Sequence, residues 1–204
     1  MGWLLVVNGY NRPKAAVRKR SFTAMSRHSL VTSGIAWFTP NVSNRDFFRK
    51  EHTMQLSTLT SKSTVRLGGS SNGCTTVERC FSDFRIDDSS LLEILATADG
   101  GHSDFMSGFV SGFSEQNLLF SDSLLRCGQS EVEPYRVLIY ICPECGDIGC
   151  GAYSVQIRRC RSEIIWEEFA YENGYEEPRI ILNVGPFTFS SASYVGAVKA
   201  ASEI

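Results

Sequence analysis

Three segments rich in β-branched and aromatic residues follow one another in the C-terminal half of the chain, and they constrain its fold most strongly. They read YRVLIYIC, CGAYSVQIRRC and EIIWEEFAYEN, and only short polar breaks separate them. Such residues favour extended strands, and strands this close in sequence pair readily as an antiparallel meander. The segments therefore predict an antiparallel sheet in which Ile139, Ile141 and Val155 are buried.

Helices are predicted on both sides of these strands. In DDSSLLEILATADGG, Asp88 or Ser89 is a candidate helix cap, and the two glycines are a stop signal. A second helix is expected from Gln116 to Leu125, and a third after a cap at Ser190 or Ser191. The order has no regular βαβ alternation, which predicts a single α+β domain with a layer of a few helices on an antiparallel sheet meander.

The charge distribution divides the chain near residue 53. Residues 1–53 carry a net charge of +7, and the remaining residues carry −9. We therefore expect a basic, poorly structured extension over 1–53 and a globular domain over 54–204. The extension is open to three interpretations: a translation start that truly lies at Met25 or Met54, a targeting segment, or a basic arm that contacts nucleic acid.

Cysteine usage and hydropathy indicate a cytoplasmic protein. The chain has seven cysteines, an odd number that argues against a disulfide framework. It contains no apolar run near the roughly 20 residues that span a bilayer, so no membrane partner is expected.

The stretch ICPECGDIGCG lies at the predicted hairpin tip and concentrates three of the cysteines, Cys142, Cys145 and Cys150. A Cys-Pro-Glu-Cys-Gly turn directs backbone amides at two thiolates, a geometry that suits structural zinc. Because a closed zinc site needs four ligands, the fourth would come from elsewhere. The candidates are Cys127, Cys160, His102 and Asp147.

Two other interpretations of the same cysteines remain open. Cys142 and Cys145 have the C-x-x-C spacing of a redox pair, although the expected turn lacks the helix that usually follows such a pair. Alternatively, the thiols stay reduced and only fill a tight hairpin.

The sequence contains no complete catalytic constellation. His102, Ser103 and Asp104 are adjacent in sequence, but a catalytic triad requires convergence in space. No G-x-G-x-x-G follows a predicted strand, so neither a nicotinamide nor a flavin cofactor is expected. This pattern favours a binding protein over an enzyme.

The third strand segment mixes acids with aromatic residues and is a candidate partner-binding surface. Aromatic anchors supply binding energy, and carboxylates steer a basic protein partner. The alternative is a solvated sheet face whose charges discourage aggregation. The candidate residues are Trp166, Glu167, Glu168, Tyr171 and Glu172.

From Phe84 onward, about the last 120 residues, the chain resembles a poorly characterised bacterial family. The resemblance rests on a Cys-Pro-x-Cys-Gly-Asp-x-Gly-Cys-Gly hairpin, a Trp-x-x-Phe strand and a Pro-Phe-x-Phe segment that enters the last helix. Members are often labelled oxidoreductase. The size and acidity of the domain are also similar to those of immunity proteins. We expect a small non-catalytic protein-binding module, immunity- or antitoxin-like, with a thiol-dependent oxidoreductase using Cys142 and Cys145 as the alternative.

Overall fold

The computed structural model describes residues 55–71, 74–101, 104–125, 134–160 and 162–204. The expected basic extension over 1–53 lies outside these ranges. Among the residues described, no helix is long and apolar enough to cross a membrane. The elements in chain order are β1 (Leu59–Arg66), β2 (Gly69–Ser71), β3 (Cys74–Thr76), β4 (Arg79–Ile86), β5 (Ser89–Ser90), α1 (Leu91–Asp99), β6 (Met106–Ser107), α2 (Ser114–Leu125), β7 (Tyr135–Ile141), β8 (Ala152–Cys160), β9 (Glu163–Glu172), β10 (Arg179–Ile180), β11 (Phe187–Ser190) and α3 (Ser191–Ser202).

The predicted antiparallel meander forms the centre of the larger sheet. Its strand order is β10-β9-β8-β7-β6, and β11 also pairs with β9. Strands β7, β8 and β9 follow one another in sequence and pair antiparallel, as expected for β-rich segments joined by short connections. Ile139, Ile141 and Val155 are buried, which confirms the prediction made for them. A smaller antiparallel sheet has the order β1-β4-β5, so the fold is α+β.

Helix boundaries follow local capping chemistry. Ser90 caps α1 by accepting a hydrogen bond from the Glu93 amide, so the predicted caps Asp88 and Ser89 are wrong by one or two residues. Gly100 ends α1 in the left-handed conformation with φ of 92°, as its sequence position predicted. Ser190 caps α3, in agreement with one of the two predicted caps.

The core between the sheets and helices contains a connected group of aromatic rings. The Trp166 indole meets Phe84, Phe189 and Tyr194 in edge-to-face contacts, with centroid separations of 5.6 to 5.9 Å. Its nitrogen donates to the Tyr194 hydroxyl at 3.3 Å, so the one polar atom of the indole is satisfied. These contacts join β4, β9, β11 and α3 around one ring.

A buried carboxylate ties β4 to both β7 and the start of α1. Asp83 is 5% exposed and accepts a hydrogen bond of 2.7 Å from the Tyr140 hydroxyl. The Ser90 side chain and the Leu92 amide also hydrogen-bond to it. Burial raises the pKa of Asp83, although these three donors oppose the rise. The folded protein therefore holds a proton on this carboxylate more tightly than the unfolded chain does.

This difference predicts how Asp83 affects stability as the pH changes. The free energy of unfolding that its raised pKa contributes is fully present below pH 3.8, the ordinary value, and is lost as pH rises through the raised pKa. We expect wild type to lose stability relative to Asp83→Asn as the pH rises from 3.8 through the raised pKa, because Asn does not titrate. Urea unfolding of both proteins at a series of pH values measures the difference. If wild type instead gained stability relative to Asp83→Asn with rising pH, Asp83 would not have a raised pKa in the folded protein.

Candidate metal centre

The connection between β7 and β8 brings three cysteine sulfurs together. Cys142 directly follows β7, Cys145 lies in the turn, and Cys150 ends a 3-10 turn over Ile148–Cys150. The cysteines therefore lie just outside the paired strands, whereas the sequence placed Cys142 and Cys150 within them. All three sulfurs lie within 4.8 Å of one another, and those of Cys145 and Cys150 are 3.2 Å apart. A cluster of this size could hold a metal ion.

Backbone hydrogen bonds shape the turn around the sulfurs. The Gly146 amide donates to the Cys142 carbonyl at 3.1 Å, and Gly146 has a φ of 64° that its missing side chain permits. The Asp147 amide donates to the Cys145 sulfur at 3.4 Å. Cysteine binds metals as the thiolate, and a thiolate sulfur can accept a hydrogen bond of this kind. The Cys-Pro-Glu-Cys-Gly sequence predicted amides directed at two sulfurs, and the described residues show one such amide, directed at Cys145.

Gly151 allows this turn to lie directly on the end of the sheet. Its backbone has φ of 99° and ψ of 149°, a combination that other residues rarely adopt. A Cβ atom there would lie 2.8 Å from the Tyr171 hydroxyl and 2.9 Å from the Phe105 ring. The rings of Phe105 and Tyr171 both contact Tyr153 on β8, so the turn packs on an aromatic group continuous with the core.

The loop that follows β9 covers the other side of the turn. Asn173 fixes this loop because its side-chain oxygen accepts from the amides of Tyr175 and Glu176. The loop lies so close that a Cβ on Gly174 would meet Ile148 at 2.9 Å. Tyr175 reaches the turn at Gly149 and is nevertheless 82% exposed.

An ion-pair cluster links the turn to the smaller sheet. Arg66, at the end of β1, has a side chain only 10% exposed and donates to both carboxylate oxygens of Asp104 at 2.7 and 2.9 Å. It also pairs with Glu144, the residue directly before Cys145. The hydrogen bond to Asp104 raises the pKa of Arg66, with a further contribution from Glu144. Sequence analysis missed this cluster because Arg66 and Glu144 are 78 positions apart.

Two of the four candidates for a fourth ligand can be judged from their positions. Cys160 ends β8, whereas the cluster lies before its first residue, so about 26 Å of extended strand separates them at 3.3 Å per residue. Cys160 is therefore excluded. Asp147 caps the 3-10 turn by accepting from the Gly149 amide at 2.6 Å, and among the described residues its carboxylate is not part of the converging group of ligand atoms. Cys127 and His102 lie outside the described residues.

The prediction that Trp166 belongs to a partner-binding surface on β9 is wrong. This side chain is 0% exposed and belongs to the aromatic core, so it cannot anchor a partner. Pairing between β8 and β9 shifts register after Ser154, and Glu168 has a positive φ of 49°. This irregularity directs both Trp166 and Phe169 into the core, although simple alternation along a strand would place them on opposite faces. Tyr171 is partly buried beneath Gly151.

The acids of β9 pair with arginines of the same sheet. Arg158 on β8 binds both carboxylate oxygens of Glu167, at 2.9 and 3.0 Å, and this hydrogen bonding lowers the pKa of Glu167. Arg136 on β7 lies 3.4 Å from Glu168 and 3.9 Å from Glu172. Two arginines therefore offset much of the charge of these three glutamates, which already have partners within the sheet.

The two catalytic interpretations considered from the sequence, a Ser-His-Asp triad and a C-x-x-C redox pair, can be compared with the described part of the chain. Asp104 is engaged by Arg66, and its sequence neighbours His102 and Ser103 lie outside the described residues. Cys145 precedes a 3-10 turn of three residues, which is too short to supply the helix dipole of a C-x-x-C redox site. A surface depression of about 630 Å³ beside α1 contains none of the cysteines in its lining, which includes Arg85, Asp88, Glu93 and Asn183.

Comparison with known proteins adds no assignment, since no family model, curated protein or solved structure matches the chain. The functional conclusion therefore depends on the geometry of the cysteine turn and its surroundings.

Gly151 provides a direct test of this packing. We expect Gly151→Ala to lower the free energy of unfolding by about 2–4 kcal/mol, because it combines backbone strain with a clash against Tyr171 and Phe105. Urea unfolding measures the change. Gly112→Ala is the matched control, because Gly112 has a positive φ of 83° but open space around its Cβ position. Equal losses in the two variants would show that the turn does not pack closely on the sheet.

Proposed function

We propose that Cys142, Cys145 and Cys150 hold a zinc ion that stabilises the end of the sheet, in a protein that acts by binding and not by catalysis. The observation that carries this proposal is the convergence of the three sulfurs within 4.8 Å. Thiolates bound to one tetrahedral zinc lie about 3.8 Å apart, since each Zn–S bond is about 2.3 Å. Small side-chain adjustments bring the sulfurs from their present positions to that spacing.

Zinc fits these ligands better than magnesium or calcium does. Thiolates are soft ligands that select zinc, copper(I) or iron–sulfur clusters over magnesium and calcium. The turn supplies its sulfurs from one short segment, with an amide directed at Cys145. A structural role follows from the position of the turn, which joins two central strands and packs on Phe105 and Tyr171.

Metal content and thermal stability test the proposal. Purified full-length protein should contain about one zinc per chain by elemental analysis, and a chelator should lower its melting temperature. A loss of about 2 kcal/mol corresponds to a shift of roughly 4–8 °C for a domain of this size. A content below about 0.2 zinc per chain, with protein that takes up no added zinc, contradicts a structural site, because such sites bind their metal tightly.

A matched pair of cysteine variants separates the site from general thiol effects. Cys142→Ser should reduce both zinc content and melting temperature. Cys160→Ser should change neither, because this exposed cysteine lies at the far end of β8. Zinc content of His102→Ala and Cys127→Ala then tests the two remaining candidates for the fourth ligand.

The binding surface is proposed to lie beside the cysteine turn and not on the face of β9. Tyr175 is 82% exposed and is followed by the exposed acids Glu176 and Glu177. Asp147 is also exposed, in the turn against which this loop packs. This acidic loop, residues 173–177, presents an aromatic side chain among carboxylates and is suited to a basic protein partner. Neutralisation of a toxin, such as a basic nuclease, is one role that this chemistry allows.

A triple variant tests the acidic loop. Tyr175→Ala combined with Glu176→Gln and Glu177→Gln should reduce capture of basic proteins from the native host, and capture by wild type should weaken as salt rises. The control changes Glu115 and Asp122 to their amides and Leu118 to Ala, which are all exposed on α2. Equal capture by the loop variant and the α2 control, or capture by wild type that does not change with salt concentration, argues against this surface.

A further inference from the structure

The three cysteines of the turn differ in their exposure and spacing. Cys145 and Cys150 are exposed, whereas Cys142 is half-buried. The sulfurs of Cys145 and Cys150 are 3.2 Å apart, less than van der Waals contact and about 1.2 Å longer than a disulfide bond. The two cysteines in contact, Cys145 and Cys150, are therefore not the C-x-x-C pair, Cys142 and Cys145, that the sequence spacing suggests.

We propose that Cys145 and Cys150 form a disulfide when a peroxide reaches the site, and that this oxidation releases the bound metal. The inference rests on the proposed zinc site, and it makes the turn a modification site that responds to oxidants. The redox pair suggested by the C-x-x-C spacing, Cys142 and Cys145, is not the pair that the geometry favours.

The chemistry proceeds in two balanced steps. One exposed thiolate attacks a peroxide oxygen, the O–O bond breaks, and a sulfenic acid forms while the leaving hydroxide takes a proton to become water. The second sulfur then attacks the sulfenic sulfur, so that the S–S bond forms and the sulfenic oxygen leaves as a second water with another proton. Two thiolates, two protons and one hydrogen peroxide give one disulfide and two waters.

Loss of metal follows from the number of ligands that remain. A disulfide removes two of the three thiolates, and Cys142 is the one sulfur left in the cluster. Since a neutral disulfide is a poor ligand for zinc, the ion is expected to dissociate. Glu144 keeps its ion pair with Arg66, so this end of the turn stays attached to β1 while the part from Cys145 to Cys150 rearranges.

The experiment oxidises zinc-loaded full-length protein with hydrogen peroxide and measures two quantities. A coloured chelator reports released zinc, and mass spectrometry after alkylation identifies the linked cysteines. The sequence permits clean mapping, because cleavage after Glu144 and before Asp147 places each of the three cysteines on a different peptide. Cys160→Ser is the parent protein, which removes one exposed bystander thiol.

We expect a peptide linked through Cys145 and Cys150, with about one zinc released per disulfide, and recovery after dithiothreitol and zinc are added. In Cys150→Ser this link should be absent, whereas in Cys142→Ser it should still form, with or without metal. A Cys142–Cys145 link, or oxidation to sulfinic acid without any disulfide, would overturn the inference even if zinc is bound. Conversely, protein that lacks zinc but forms the Cys145–Cys150 link would overturn the zinc proposal and leave the oxidisable pair in place.

Discussion

The turn between β7 and β8 depends on the absence of a side chain at Gly151, where the backbone lies against Tyr171 and Phe105. Because of this close approach, the turn folds back onto the end of the sheet instead of extending into solvent. The sulfurs of Cys145 and Cys150 meet as a consequence. A larger residue at position 151 would move the 3-10 turn that carries Cys150, and the cluster would open.

The turn is attached to the domain through two physically different contacts. On one side, aromatic rings continue from Tyr171 and Phe105 through Tyr153 into the core. On the other, Glu144 pairs with the nearly buried Arg66 of the smaller sheet. We attribute most of the stabilisation to apolar packing, whereas the ion pair mainly fixes orientation, since the Glu144 side chain is 36% exposed and solvent weakens its pairing with Arg66. A bound metal would add a third restraint, at the three sulfurs themselves.

Local chemistry made much of the fold predictable from sequence. The β7–β9 meander, the stop at Gly100 and the cap at Ser190 each follow from residues adjacent in the chain. The predicted surface on β9 was wrong in including Trp166, which packs in the core on the same face as Ile164, and a bulge at Glu168 then brings Phe169 to that face as well. No residue pattern within β9 predicts the bulge. The Arg66–Glu144 contact could not be predicted from the sequence either, because the two residues are 78 positions apart and meet only in the folded protein.

Zinc-edge X-ray absorption spectroscopy of the purified, reduced protein tests the central claim most directly, because it counts the sulfur atoms bound to the metal. If Cys142, Cys145 and Cys150 hold zinc, the spectrum fits three or four sulfur neighbours at about 2.3 Å. The fit should lose one sulfur in Cys150→Ser and none in Cys160→Ser. A first shell composed only of oxygen and nitrogen, or a sulfur count unchanged in Cys150→Ser, would contradict the account.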